Sequence, residues 1–158
     1  MSVVRVEAEG SLDSKICLVG EAPGVQEVVT GRPFVGPAGN ELMKILHMVG
    51  IARSDCYITN VVKEHPPKDD FTVFLRFTSR GDPIETPAYQ RYVEELKEEL
   101  SRCKANVIVP LGNNTLWALC GRTGITKWRG SILESTLLPG RKCIPTIHPS
   151  AALRQYIY

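Results

Sequence analysis

No CxxC pair occurs in these 158 residues, although five cysteines do. Cys17, Cys56, Cys103, Cys120 and Cys143 are scattered singly, an odd number that argues against a disulfide framework and a zinc ribbon. Cys17, Cys56 and Cys143 sit at or inside apolar runs, where a cysteine serves as a small core residue. No apolar run approaches the roughly 20 residues that a membrane span needs. The start, MSVVRVEAEGSLDSK, has no apolar stretch behind basic residues, so no signal peptide is visible. Net charge is nearly absent: 19 Lys+Arg against 17 Asp+Glu leave +2. That neither demands nor forbids a nucleic-acid partner, because a local patch matters more than the sum. The chain also lacks GxGxxG, a GxxxxGK phosphate loop, HExxH and GxSxG, which argues against the common nucleotide, zinc-protease and serine-hydrolase arrangements. With no repeat and no low-complexity tract, the expectation is one reduced, intracellular, soluble domain over residues 1–158. A chain of that length buries about two-thirds of its unfolded surface.

Four short, largely apolar runs read as strands covered on both faces: Lys15–Gly20, Cys56–Val62, Asn106–Leu111 and Lys142–Ile147. Pro110 and Pro145 suit strand ends or edges. Helical patterns lie between them. Asn40–Val49 places Leu42, Ile45, Leu46 and Val49 on one stripe, and Gly50 stops it. Thr86-Pro87 is a cap and first-turn pair for a helix to Arg102 that buries Tyr92, Val93, Leu96 and Leu100. Asn113-Asn114 caps a third helix through Trp117 and Leu119, closed by Gly121. This alternation predicts an α/β fold: a three-layer sandwich with a central, mainly parallel four-stranded sheet flanked by helices. Glu64–Glu85 breaks the pattern. Phe71, Val73, Leu75 and Phe77 alternate like a strand and Gly81-Asp82-Pro83 is a turn, so the segment reads as an inserted edge strand or hairpin.

Each predicted strand ends in something chemically distinctive. GEAPG and a Gly/Pro-rich extension follow the first, Asn60 sits near the end of the second, Gly112-Asn113-Asn114 follow the third, and His148-Pro149-Ser150 follow the fourth. Ligands of open α/β sheets sit beyond the carboxyl ends of the strands, so these groups are expected to converge. Singly, each has a plainer reading: Glu21 as a loop acid, Phe34 as core, Asn60 as a strand-end tie, His148 as a turn residue. His47 and His65 attract no role.

Together and in order they do more. Gly20-Glu21-Ala22-Pro23-Gly24 with Glu27, then Gly31-Arg32-Pro33-Phe34-Val35-Gly36 and Gly39, resembles the first motif of uracil-DNA glycosylases. Within that superfamily it is most similar to the class that normally carries an iron–sulfur cluster. Thr59-Asn60-Val61-Val62-Lys63 looks like that class's second landmark and His148-Pro149-Ser150 like its last, so the resemblance spans about residues 15–154. It implies excision of uracil from single- or double-stranded DNA, with the base flipped into a pocket. Phe34 is then similar to the aromatic that stacks on uracil, beside Gly20 and Ala22. Asn60 matches the amide that reads N3–H and O4, a pattern cytosine reverses. His148 corresponds to the donor to uracil O2. Glu21 and Glu27 are candidates for orienting water or stabilising an oxocarbenium-like sugar. Pro149, Ser150 and Arg154 face DNA, and Lys127, Arg129, Arg141 and Lys142 add to a basic rim.

Departures from the pattern are equally specific. The cluster-bearing class places paired cysteines before the first strand and another after TNVVK; here Val3–Lys15 holds none and the later position is Glu64. Cys103 alone near an expected fourth ligand cannot hold a cluster that needs four, so no cofactor is expected. Position 22 is alanine, where other branches place Asp or Asn. The chain ends ten residues after His148, where the family usually continues with another helix; a trimmed or reduced member would favour a partner or second copy. Two other functions compete: a weakly catalytic glycosylase-fold module that binds nucleic acid beside replication, and a hydrolase of free nucleosides, which needs no basic rim.

Overall fold

A parallel strand buried on both faces must be apolar at successive positions, and Ile16-Cys17-Leu18-Val19 meets that condition. In the computed structural model, which describes residues 3–155 without the side chains of 154 and 155, alternate residues of this strand enter two different cores. Cys17 and Val19 join Tyr57, Ile108 and Cys143 on one face, under Leu96, Leu100, Leu116 and Leu119. Leu18, with Cys56 and Ile58, lies on the other, against Leu42, Leu46 and Phe34. Truncating any one of these fully buried leucines to alanine costs about 2–5 kcal/mol.

The strands are β1 (Ile16–Gly20), β2 (Cys56–Asn60), β3 (Leu75–Phe77), β4 (Pro83–Glu85), β5 (Val107–Pro110), β6 (Leu133–Glu134) and β7 (Lys142–Cys143). The main sheet runs β2-β1-β5-β7-β6, parallel except for β6. It therefore has five strands where four were expected. The fifth, β6, is a two-residue edge strand whose pairing of Leu133 with Cys143 is tertiary and leaves no local pattern to read. The fourth predicted strand shrinks to Lys142–Cys143, extended only by a bridge between Leu111 and Thr146. Pro110 does end β5, but in the middle of the sheet, where its carbonyl accepts from Thr146 N–H.

The helices are α1 (Val25–Thr30), α2 (Pro37–Met48), α3 (Pro87–Ser101), α4 (Asn113–Cys120), α5 (Ile125–Trp128) and α6 (Pro149–Gln155). Thr86 caps α3 through its hydroxyl, which accepts from Tyr89 N–H at 3.2 Å. α3 buries Tyr89, Leu96, Glu99 and Leu100, with Tyr92 and Val93 only half-buried. α2 begins three residues before the predicted start, at Pro37, and buries Leu42 and Leu46 while Ile45 and Val49 remain exposed. α6 packs against α2. α4 is capped by Gly112 (φ 93°) rather than by the expected Asn113-Asn114, which lie in its first turn with their amides bonded elsewhere. The inserted segment is a hairpin, β3 against β4, standing apart from the main sheet.

Candidate active site

β1 and β2 run parallel with Gly20 beside Asn60, so the loops that follow them leave the sheet side by side. The HPS turn joins them because Gly112 N–H donates to Thr146 O at 2.9 Å, two residues before His148. A cavity of about 270 Å³ opens there, lined by Ala22, Glu27, Phe34, Asn60, His148 and Ser150 among others. The expected convergence is therefore real for these six. Gly20 lies behind the cavity wall: a Cβ on it would run into Asn60 Oδ1 and the Phe34 ring. Glu21 and Pro149 flank the cavity without lining it. Arg154 is on α6, its side chain outside the described residues.

Asn60 is 3% exposed and its Oδ1 has no hydrogen-bond partner among the described residues. A buried polar atom left unpaired costs about 1–3 kcal/mol, a cost that a bound donor removes. Its backbone is held by the last residue of TNVVK. Lys63, 2% exposed, donates from Nζ to Asn60 O at 2.5 Å and Thr59 Oγ1 at 3.0 Å, and pairs with Glu99 at 2.8 Å. The landmark lysine thus braces the strand end from inside the protein.

Phe34 has φ 53°, left-handed and unusual for an aromatic residue. Its ring centroid stands 6.2 Å from the His148 imidazole, the planes 33° apart. Ser150 N–H donates to His148 Nδ1 at 3.1 Å, and Ser150 Oγ lies 2.8 Å from the same nitrogen. An Nδ1 that accepts leaves the neutral ring's proton on Nε2.

The two glutamates differ. Asn114 Nδ2 donates to Glu21 Oε1 at 2.5 Å; burial pushes the Glu21 carboxyl up, and this bond offsets part of the rise. Both oxygens of Glu27 serve the loop: Oε1 accepts from Gly24 N–H at 3.0 Å, and Oε2 from Val35 and Gly36 N–H at 2.8 and 2.6 Å. Glu27 thereby ties the start of α1 to the start of α2.

Asn114, expected as a helix cap and as part of the loop that converges after the third strand, reaches the site through Glu21; two further residues there, His65 and Asp69, have no role in the sequence analysis. His65 holds the first loop, its Nδ1 donating to Pro23 O at 2.9 Å, and its Nε2 lies 3.4 Å from Asp69 Oδ1. Asp69 lines the cavity and has φ 58°, behind Lys68 at φ 56°. The PKDD stretch has no glycine to announce that left-handed pair; only the tolerance of Asp for such a φ hints at it.

The resemblance implies cluster thiolates before β1 and at position 64, where Glu64 stands beside Arg5. Those two residues form an antiparallel bridge, and Val6 N–H donates to Lys63 O at 2.7 Å. Arg5 pairs with Glu7 and Glu95 and lies over the Tyr92 ring, whose hydroxyl donates to Glu64. All five cysteines are free and buried. Among the described residues no three His, Cys, Asp or Glu side chains gather as metal ligands.

Comparison with known proteins agrees with this geometry. Residues 7–157 match the uracil DNA glycosylase superfamily. A Type-4 uracil-DNA glycosylase of Thermotoga maritima is 40% identical over 151 residues, covering 94% of this chain and 71% of that protein. One of Archaeoglobus fulgidus is 34% identical over 155 residues, with the same two shares, 94% and 71%. A DNA polymerase of Bacillus phage SP01 is 31% identical over 154 residues, which are 97% of this chain and 15% of the polymerase. A match over so much of the chain, with its landmark loops gathered at one edge of the sheet, makes the protein a member of the uracil-DNA glycosylase superfamily.

Proposed function

We propose that the protein hydrolyses the N-glycosidic bond of uracil in DNA and leaves an abasic site, after the base has flipped into the cavity described above. The observation that carries this reading is Asn60 Oδ1, buried at the cavity wall and without a partner among the described residues. Uracil offers N3–H to that oxygen and O4 to the amide nitrogen; cytosine offers the reverse and is refused. Phe34 supplies the face against which the base rests, with Ala22 and Gly20 allowing the loop to come close. His148 Nε2–H donates to uracil O2, where negative charge grows as the bond breaks, so its contribution is greatest in the transition state. Glu21, as a carboxylate, steadies the positive sugar or orients the water that attacks it. Glu27, with both oxygens committed, shapes the loop rather than taking part. Hydrolysis of this bond asks for donors, charge and water, and we read the chain as working without a resident cofactor.

The DNA strand passes a basic rim next to the pocket. On the turn around α5, Arg122 and Lys127 lie 4.4 and 5.0 Å from the Trp128 ring centroid, and Arg129 is exposed beside them. Both ends of this turn are tied to elements of the site: Gly124 N–H donates to Asn113 Oδ1 at 2.8 Å and Gly130 N–H to Pro145 O at 2.9 Å. Cations around an indole suit a single strand. Pro149, Ser150 and Arg154 keep a phosphate-side assignment. No helix among the described residues is long and apolar enough to cross a membrane, and the substrate implies an intracellular setting.

A second reading, a glycosylase-fold module that works beside replication, is favoured by one finding: the match to a phage DNA polymerase. One experiment separates the two. A labelled single-stranded oligonucleotide with one uracil is incubated in protein excess and then treated with alkali. A cleaved band that disappears in Glu21→Ala and His148→Ala supports the enzyme. Salt-dependent binding without a band leaves the binding module.

A further inference from the structure

Two of the described residues that line the cavity, Phe34 and Asp69, hold a left-handed φ, and Phe34 is the bulky one. A left-handed φ at an aromatic residue persists only when its surroundings over-determine it. Arg53 donates from Nη1 to Phe34 O at 2.8 Å and from Nη2 to Pro33 O at 2.5 Å. Its Nε donates to Glu9 Oε2 at 2.6 Å, while Glu9 Oε1 accepts from Arg32 Nε at 2.6 Å. Glu9 is itself fixed, exchanging backbone hydrogen bonds of 2.9 and 2.8 Å with Ile58 in β2. Beneath the loop Gly39 has no side chain, and a Cβ there would collide with the Phe34 backbone.

We infer that Arg53, anchored by Glu9, is a positioning residue that holds Phe34 in its left-handed conformation and so keeps the ring in place for the base. The planar guanidinium spans two successive carbonyls and a carboxylate at once, a geometry lysine cannot reproduce. The inference rests on the uracil reading above for what the ring does, and on the loop geometry alone for how the ring is held.

Two measurements test it. The first needs no uracil. The three-bond HN–Hα coupling of Phe34 depends on φ, and in the free, folded protein Arg53→Ala should move it away from the wild-type value, with Arg53→Lys between. An unchanged coupling overturns the inference, whatever uracil does. The second is a double-mutant cycle on inhibition by free uracil. Arg53→Ala should weaken inhibition about tenfold when Phe34 is present, within the range that one strained residue allows. In a Phe34→Ala background the same substitution should change it less than about twofold, because coupled residues are not additive. Equal losses in both backgrounds would make Arg53 a general brace and overturn the claim. If Phe34→Ala alone leaves uracil inhibition intact, the stacking role of Phe34 fails, and the coupling still decides whether Arg53 sets its backbone. Melting curves of each variant establish that the readings come from folded protein.

Discussion

Two regions leave the same strand pair and have been filled by opposite means. At the carboxyl edge, residues 20–36 keep the family's motif, and their fit depends on atoms that are missing: no Cβ at Gly20 against Asn60 and Phe34, none at Gly39 against the Phe34 backbone. On the flank, where residues 5–7 meet Glu64 and α3, the gap is spanned by atoms that are present. There Arg5, Glu64, Tyr92 and Glu95 join by charge and hydrogen bond, and the Phe74 ring packs edge-on to Tyr92 at 6.0 Å. The difference teaches what each region must do. Reading a base demands one geometry, which few residue types deliver. Stapling an N-terminal segment to a helix demands only that something bridges the gap, and an ion-pair and aromatic knot is enough.

If that contrast is right, edge substitutions should damage chemistry in a folded protein, and flank substitutions should damage stability with chemistry intact. The largest effect is expected at His148. His148→Ala should slow single-turnover excision by about 10²–10³, the usual cost of removing an oxyanion donor, with a melting temperature near that of the parent. An unaltered rate would end its role. Gly20→Ala comes next: the new methyl meets two groups that read the base, so excision should fall at least tenfold through weaker uracil inhibition. Asn60→Asp should narrow the preference for uracil over cytosine, and an unchanged preference would remove Asn60 from the recognition scheme.

A smaller effect sharpens the picture of Glu21. Burial raises its pKa, and the Asn114 hydrogen bond, which favours the carboxylate, lowers it partway back. If the carboxylate is the working form, activity falls as pH drops through this elevated pKa. Asn114→Leu removes the stabilising bond, raises the pKa further, and should shift the acid limb of the single-turnover rate to higher pH. A limb that stays in place or moves to lower pH would mean that Glu21 is not the group titrating.

What could be read in advance follows the same division. The apolar runs of β1, β2 and β5, the Thr86-Pro87 cap and the meeting of GEAPG, TNVVK and HPS are local signals, and local signals survive in sequence. The missing parts are products of contact. Asn114 reaches Glu21 across 93 positions, and Arg53 reaches Glu9 across 44. α1 is a six-residue helix of VQEVVT, poor in helix formers and set in a Gly/Pro-rich loop; its carboxylate clamp, Glu27, holds it where propensity would not. The two-residue β6 exists only through its pairing with β7. In the insertion the alternation was legible only over Leu75–Phe77; the 3-10 turn of Phe71–Val73 before it, and the partner surface on Tyr92 and Trp117, were not.

The smallest prediction bears on the flank, and it is where the comparison is easiest to break. Tyr92→Phe keeps the ring under Arg5 and against Phe74 and removes only the hydroxyl that Glu64 accepts. The loss of one hydrogen bond to a charged group in a half-buried setting is worth about 1 kcal/mol, measured by denaturant unfolding. The exposed Arg5–Glu95 pair contributes less than the hydroxyl, since surface ion pairs are worth about 0–1 kcal/mol. Arg5→Ala should therefore act mainly through the cation over the ring and the first residues' attachment, and raised salt should mimic part of it. Both variants should excise uracil at the parental rate at temperatures where they stay folded. A drop in single-turnover rate with unchanged stability would mean that the flank tunes the reading edge, through Glu64 and the Lys63 that follows Asn60, and the separation of the two regions would fail.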